Sequence, residues 1–199
     1  MADINSELTK QVIEFTEVFA ELDDLVVFTP KLPVGANWGY LGPVAWKRDS
    51  DIEQHFQISV PSLSQSQYGV ILLTKDGSDA LGEIVDWVPN MGTIEPSRFT
   101  TWRGIPADPE KYVSGGDLFV LGMDKPTAEQ TAGIKAIRKD LVIERTPDHL
   151  IWSRRLPRDT VSLNDVRIVT GVELASGAFV STSAHAGEER TIPVIRFFS

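Results

Sequence analysis

The sequence predicts a mostly β protein that begins with an amphipathic α-helix. After residue 25, β-branched and aromatic residues come in short runs, as in strands. Glycine, proline, asparagine and aspartate separate these runs, and the 15 glycines and 12 prolines favour many tight turns. Before residue 25, apolar residues recur every three or four positions, which is the period of a helix. The length of 199 residues suits one domain with a sizeable core.

The predicted helix occupies residues 1–24. Its apolar stripe is formed by Ile4, Leu8, Val12, Phe15, Phe19 and Leu22. Such a stripe must be covered, because its exposure to water is unfavourable. Packing on the remainder of the domain is the simpler interpretation. Docking of a protein partner on residues 4–22 is the alternative.

Residues 25–199 form the second predicted unit, a single β domain. The predicted strands are residues 25–29, 57–60, 69–74, 82–87, 98–102, 118–122, 141–144, 150–153, 167–172, 178–183 and 193–198. Residues 127–139 fit either a helical turn or a long loop that leads into a strand. The number of strands is compatible with a sandwich, a barrel or a prism.

Composition and charge exclude several classes of function. The 28 acidic and 19 basic residues give a net charge of -9, which argues against nucleic acid as a partner. The absence of cysteine excludes disulfides and thiolate chemistry but leaves the cellular compartment open. The N-terminus lacks the pattern of a classical signal peptide, and the longest apolar runs are too short to span a bilayer. We therefore expect a soluble protein.

One short pattern occurs more than once along the chain. An aromatic residue is followed four positions later by glycine and six positions later by an apolar residue in residues 38–46 and again in residues 112–120. Residues 174–180 carry a weaker version, in which small residues again lead into a strand-like run. Tryptophan also ends three strand-like runs, at Trp87, Trp102 and Trp152. Such spacing suits a few sheets around a pseudo-axis.

These motifs are similar to those of the vacuolar protein sorting-associated protein 62 family. The similarity rests on residues 84–87 (IVDW), 99–106 (FTTWRGIP), 112–122 (YVSGGDLFVLG) and 134–142 (IKAIRKDLV). It covers roughly residues 30 to 199. The resemblance implies a β-prism-like domain, in which three antiparallel sheets surround a pseudo-threefold axis. Lectins and membrane-associated domains share that architecture.

Catalytic and metal-binding patterns are weak. The three histidines, His55, His149 and His185, lack the helical spacing of a zinc site, so we interpret them as solvated loop residues. The chain has no nucleophile elbow, Walker loop or dinucleotide-binding glycine motif. We predict no catalytic residue, no metal and no cofactor, and we expect the protein not to be an enzyme.

Aromatic residues beside glycine, asparagine or aspartate are the stronger indication of a binding site. An exposed ring stacks on the apolar face of a sugar, while nearby polar side chains bond its hydroxyls. The predicted ligand-binding residues are Asn37, Trp38, Tyr40, Trp102, Tyr112 and Asp117. The alternative is that these rings close the core.

The leading hypothesis is a non-enzymatic recognition module that binds a glycan or a membrane-surface partner. The second hypothesis is a component of a protein toxin or defence system, in which the domain targets a cell surface or joins a pore-forming partner. A hydrolase is the third, and it would need histidines and carboxylates clustered in a cleft.

Overall fold

The computed structural model describes residues 4–48, 67–90, 98–157, 159–184 and 189–196, and strands dominate these ranges. The first strands are β1 Leu8–Glu14, β2 Glu17–Leu22, β3 Leu25–Thr29, β4 Gly39–Tyr40, β5 Val44–Lys47 and β6 Tyr68–Thr74. Then come β7 Leu81–Pro89, β8 Phe99–Pro106, β9 Tyr112–Ser114, β10 Asp117–Leu121 and β11 Lys135–Arg138. The last are β12 Val142–Arg145, β13 His149–Leu156, β14 Asp159–Asp165, β15 Glu173–Leu174, β16 Val180–Ser183 and β17 Ile192–Arg196. A 3-10 helix occupies Lys139–Leu141.

The predicted N-terminal helix is wrong beyond its first turn. Among the described residues of this region, only α1, Ile4–Glu7, is helical, and most of the others form β1 and β2. The apolar residues that suggested a helix are shared among different parts of the core, where Leu8, Phe15 and Leu22 are all buried. The stripe needed for a helix-docking partner is therefore not formed. In the described ranges, no helix is long and apolar enough to cross a membrane.

Most predicted strands are confirmed to within a few residues. The exception among described residues is 167–172, which forms a loop before β15. Residues 127–139 contain turns and then β11, so the loop leading into a strand is the correct alternative. The predicted strand 57–60 lies outside the described residues.

The same order of strand pairing occurs in three consecutive segments. In the first segment, residues 8–74, β1 pairs with β6 and β6 with β4, while β2 pairs with β3 and β3 with β5. The third segment, residues 142–196, repeats this order as β12–β17–β15 and β13–β14–β16. In the second segment, residues 81–138, the two triplets join into one five-stranded sheet, because the single strand β7 is the outer strand of both triplets. Its first half pairs with β11 and its second half with β8.

Each segment also has an irregular register at the same place. The strand hairpins break register between Val18 and Ala20, between Ile84 and Asp86, and between Leu150 and Trp152. All three breaks lie in the hairpin that opens the second triplet of strands. The three hairpins therefore carry one extra residue each at corresponding positions. A β-bulge of this kind increases the local twist.

The links between the fourth and fifth strands of the three segments meet one another. A Cβ added at Gly42 would lie 3.2 Å from the Cβ of Ala178, and one added at Gly116 would lie 2.8 Å from it. The three pattern repeats of the sequence fall on these links. Small residues are needed here because three backbones approach closely.

Aromatic and aliphatic side chains from all three segments fill the interior. Phe99 stacks on Phe119 with ring centroids 4.9 Å apart, and Trp152 from the third segment meets Phe99 edge-on at 5.7 Å. Leu25 from the first segment belongs to the same cluster. Removing such large apolar surfaces from water is the main stabilising contribution.

Candidate functional site: a cleft between the second and third segments

Two of the predicted ligand-binding rings are core residues. Tyr40 is 3% exposed and packs edge-on against Phe15 at 5.8 Å. Its burial raises the pKa of the hydroxyl. Trp102 is 7% exposed, and its indole nitrogen has no hydrogen-bond partner in the described residues. The prediction that these two rings are exposed is therefore wrong.

Asn37 and Trp38 lie at the end of the loop that precedes β4. Asn37 is exposed, and Trp38 is half-buried against the core that contains Tyr40. Neither lines the cleft described next. The structure therefore does not bring all the predicted residues into one site.

Tyr112 and Asp117 do line a common cleft, which has a volume of about 370 Å³. One wall comes from the second segment, through the end of β8 at residues 103–106 and through β9. The other comes from the third segment, through Glu144 of β12 and residues 189–193. Ligand pockets commonly occupy such junctions and begin at about 300 Å³. The cleft is thus large enough for a small ligand.

Tyr112 is held in place on the cleft wall. Its hydroxyl donates a hydrogen bond of 2.7 Å to the backbone oxygen of Asp79. The ring packs on Gly82, where an added Cβ would lie 2.8 Å from the ring carbon Cγ. The Lys111 ammonium is 5.5 Å from the ring centroid, a cation–π distance. The half-buried ring is therefore pre-organised.

An ion-pair network lies next to this anchor. Lys111 and Arg138 both bond the Asp79 carboxylate, and these bonds lower its pKa from 3.8 to about 2. Arg138 also donates to Asp140 at 2.6 Å and to Glu7 at 3.4 Å. Hydrogen bonds from Ser78 and then Arg138 lower the pKa of Glu7. The network connects the N-terminal residues to the second segment.

Asp117 has a different role from the predicted one. It is 1% exposed and accepts a backbone N–H of Ser181 at 2.7 Å and an amide hydrogen of Asn90 at 2.9 Å. Arg190 bonds both carboxylate oxygens, at 2.8 and 3.1 Å. The carboxylate is therefore engaged by protein donors, and the prediction that it faces ligand hydroxyls is not met. It joins the second segment to the third beneath the cleft.

The remaining lining is of mixed charge. Arg103 and Lys139 supply exposed cations, and Glu144 and Glu189 supply exposed carboxylates. The Thr191 hydroxyl donates to Glu144 at 2.7 Å. Apolar surface comes from Ile105, Pro106, Pro109, Val113, Val180 and Pro193. The cleft therefore offers donors, acceptors and apolar contacts together.

The charged residues of this lining were not among the predicted site residues. The sequence could have indicated Arg103, because it directly follows Trp102 in the quoted motif 99–106 and lies nine residues before Tyr112. Lys139 stands in the quoted motif 134–142, whereas Arg190 stands in none. Neither motif showed that these side chains share a cleft, because residues from distant parts of the chain meet only when the segments pack. The opposition of Arg103 and Asp117 is likewise a property of the β8–β10 register.

Histidines do not assemble a metal or hydrolytic centre in the described part of the chain. No group of three or more potential metal ligands occurs in those ranges. His149 pairs with Asp165 at 2.8 Å and lies outside the cleft lining. His55 and His185 lie outside the described residues.

No family model and no curated protein matches the chain. Among solved structures, it is similar to the crystal structure of GNIP1Aa from Chromobacterium piscinae, with a TM-score of 0.68 at 17% sequence identity. The match covers 95% of this chain and 37% of GNIP1Aa, so the chain spans just over a third of that protein's length. At this identity the likeness concerns the fold alone. The resemblance to the vacuolar protein sorting-associated protein 62 family has no support from these comparisons.

Proposed function

We propose that the three segments are related by a pseudo-threefold axis, as in a β-prism, and that the protein is a non-enzymatic recognition module. The repeated pairing order supports the first part, as does the bulge shared by all three hairpins. Gly42, Gly116 and Ala178 would lie nearest the axis, because they come from equivalent links and approach one another.

Recognition takes place in the cleft between the second and third segments, and its ligand is a glycan. The observation that carries this proposal is the combination of an anchored Tyr112 ring with cations, carboxylates and a hydroxyl in one cleft of about 370 Å³. A sugar ring presents apolar C–H groups and many hydroxyls that both donate and accept. Such a ligand uses every kind of group in this lining.

A glycan array followed by calorimetric titration of any hit tests this proposal. Tyr112→Ala removes the ring from the cleft, and we expect it to weaken binding by about tenfold or more, which corresponds to about 1.4 kcal/mol. Tyr68→Ala is the matched control, because Tyr68 is an exposed tyrosine outside the cleft lining. A thermal melt of each variant separates lost binding from lost folding. Equal losses in both variants, or no binding to any glycan, would reject the proposal.

A membrane surface is the second candidate partner, and a separate observation favours it. The loop between the third and fourth strands exposes Val34 completely in the first segment, at 102%, and Ile168 by 79% in the third. Insertion of such aliphatic side chains into a lipid surface would remove their apolar area from water. The corresponding loop of the second segment contributes Pro109 to the cleft. Cosedimentation with vesicles that drops in Val34→Asp and Ile168→Asp would support this candidate.

The third candidate is a component of a toxin or defence system in which this domain is the targeting part. The fold it shares with part of a longer chain is compatible with such a modular arrangement. Leakage from liposomes, with the protein alone or with the products of neighbouring genes, would favour this candidate over simple recognition.

A further inference from the structure

Two exposed cations line the cleft. Arg103 and Lys139 both line it and are exposed, and neither makes an ion pair or a side-chain hydrogen bond within the part of the chain that the structure describes. Many other cations of the described ranges have a carboxylate partner, as Lys111 has Asp79 and Lys135 has Glu83. The two side chains are available to an anionic group.

Arg190 adds a fixed donor edge to the same cleft. Asp117 accepts from both of its terminal nitrogens, and the Ser181 backbone oxygen accepts from Nη1 at 3.1 Å. These bonds use three of the five guanidinium hydrogens. Within the described residues, the Nε hydrogen and one Nη2 hydrogen have no partner. Asp117 neutralises the charge, so Arg190 contributes orientation and hydrogen bonds instead of net charge.

Strand register places the Arg103 side chain on the face of the sheet that Arg190 covers. Arg103 lies directly opposite Asp117 in the β8–β10 pair. Directly opposite residues of an antiparallel pair extend their side chains from the same face of the sheet. Because the Asp117 carboxylate contacts Arg190, the Arg103 side chain leaves the sheet toward that neighbour.

The carboxylates of the lining determine what kind of anion fits. Glu144 and Glu189 lie in the same cleft as the cations, and both repel a doubly charged phosphate or sulfate more strongly than a singly charged carboxylate. They accept hydrogen bonds from hydroxyls, as Glu144 does from Thr191 at 2.7 Å. A ligand that satisfies both sets of groups carries one anionic group and several hydroxyl donors.

We infer that the ligand of this cleft is a sugar acid, a pyranose residue with a carboxylate that Arg103 and Lys139 bind while Glu144 and Glu189 accept its hydroxyls. This inference rests on the glycan-binding function proposed above and specifies the class of glycan. Carboxylates form strong charge-assisted bonds with guanidinium and ammonium groups. The apolar lining and Tyr112 contact the ring.

Calorimetric titration with matched ligand pairs tests the inference. The acids are the methyl glycosides of glucuronic and galacturonic acid, and the neutral counterparts are methyl glucoside and methyl galactoside. We expect an acid to bind at least about tenfold more tightly than its neutral counterpart, and the preference to shrink as salt is raised. Arg103→Gln and Lys139→Gln should each reduce the preference. Lys31→Gln, which removes an exposed cation outside the cleft, should leave it unchanged.

Three outcomes would overturn the inference. Equal binding of acid and neutral sugars, lost in Tyr112→Ala, would leave the proposed glycan module standing and reject the sugar acid. Binding of inorganic phosphate or glucose 6-phosphate as strong as that of the acids would show a general anion site. Absence of binding by any of these sugars, together with a blank array, would reject the module as well.

Discussion

At the scale of single residues, burial decides the role of each predicted site residue. Tyr40 and Trp102 are aromatic residues of the kind that stacks on sugars, yet their rings are buried in the interior. Tyr112, on an edge strand at the junction of two segments, is half-buried and lines the cleft. Local sequence shows which residue types are present but not which side of a strand meets solvent.

The buried Asp117 should be important for stability. Asp117→Asn removes the charge that compensates Arg190, and removing one partner of a buried ion pair costs about 3–5 kcal/mol. We expect a loss of that size in the free energy of urea unfolding. Asp124→Asn, at an exposed position, is the control and should change little. A loss below about 1 kcal/mol for Asp117→Asn would show that the pair contributes no more than an exposed one.

At the scale of elements, the links between fourth and fifth strands determine how the segments meet. Each link has a small residue where it meets the others, because a larger side chain at that point would occupy the space of a neighbouring backbone. The pattern repeats of the sequence mark this requirement. Only the structure shows that the three links pack against one another, since the repeats lie dozens of residues apart in the sequence.

Gly116→Ala tests this close approach. The new Cβ would lie 2.8 Å from the Phe179 backbone oxygen and 2.8 Å from the Ala178 Cβ. Overpacking of this kind costs about 1–3 kcal/mol, so the midpoint of thermal unfolding should fall. Gly171→Ala has open space around the added Cβ and an ordinary backbone conformation, so it should be nearly neutral. Similar midpoints for both variants would contradict the close packing of the links.

At the scale of the whole molecule, strand pairing and charge connect distant parts of the chain. The Arg138 network joins Glu7 to Asp79 and Asp140, and the Asp117 network joins the second and third segments. In the third segment, a hydrogen bond from Arg145 lowers the pKa of Glu173 in the same way. Glu7, Asp79 and Glu173, whose pKa values are lowered, stabilise the fold most when they are ionised.

Acid should therefore weaken the fold in a defined range. The pKa of Asp79 is about 2 in the folded protein and 3.8 when the carboxyl has no partner. Its contribution to the free energy of unfolding is therefore complete above pH 3.8 and disappears as the pH falls toward 2. Urea midpoints measured across this range should decrease. Asp79→Asn should show a smaller decrease, whereas Asp76→Asn, in the exposed turn nearby, should follow the wild type. Parallel curves for all three proteins would refute the assignment.

Short-range patterns by themselves determined the β class, the positions of nine of the 17 described strands and the repeated links. These depend on local conformational preferences and alternation, which a strand carries in its own residues. The same reasoning failed in the first 24 residues, because apolar residues three and four apart also suit two short strands with a bulge. Tertiary structure alone decided which aromatic rings are buried and which charges share a cleft. Those properties arise from contacts between segments, whose energies no local pattern contains.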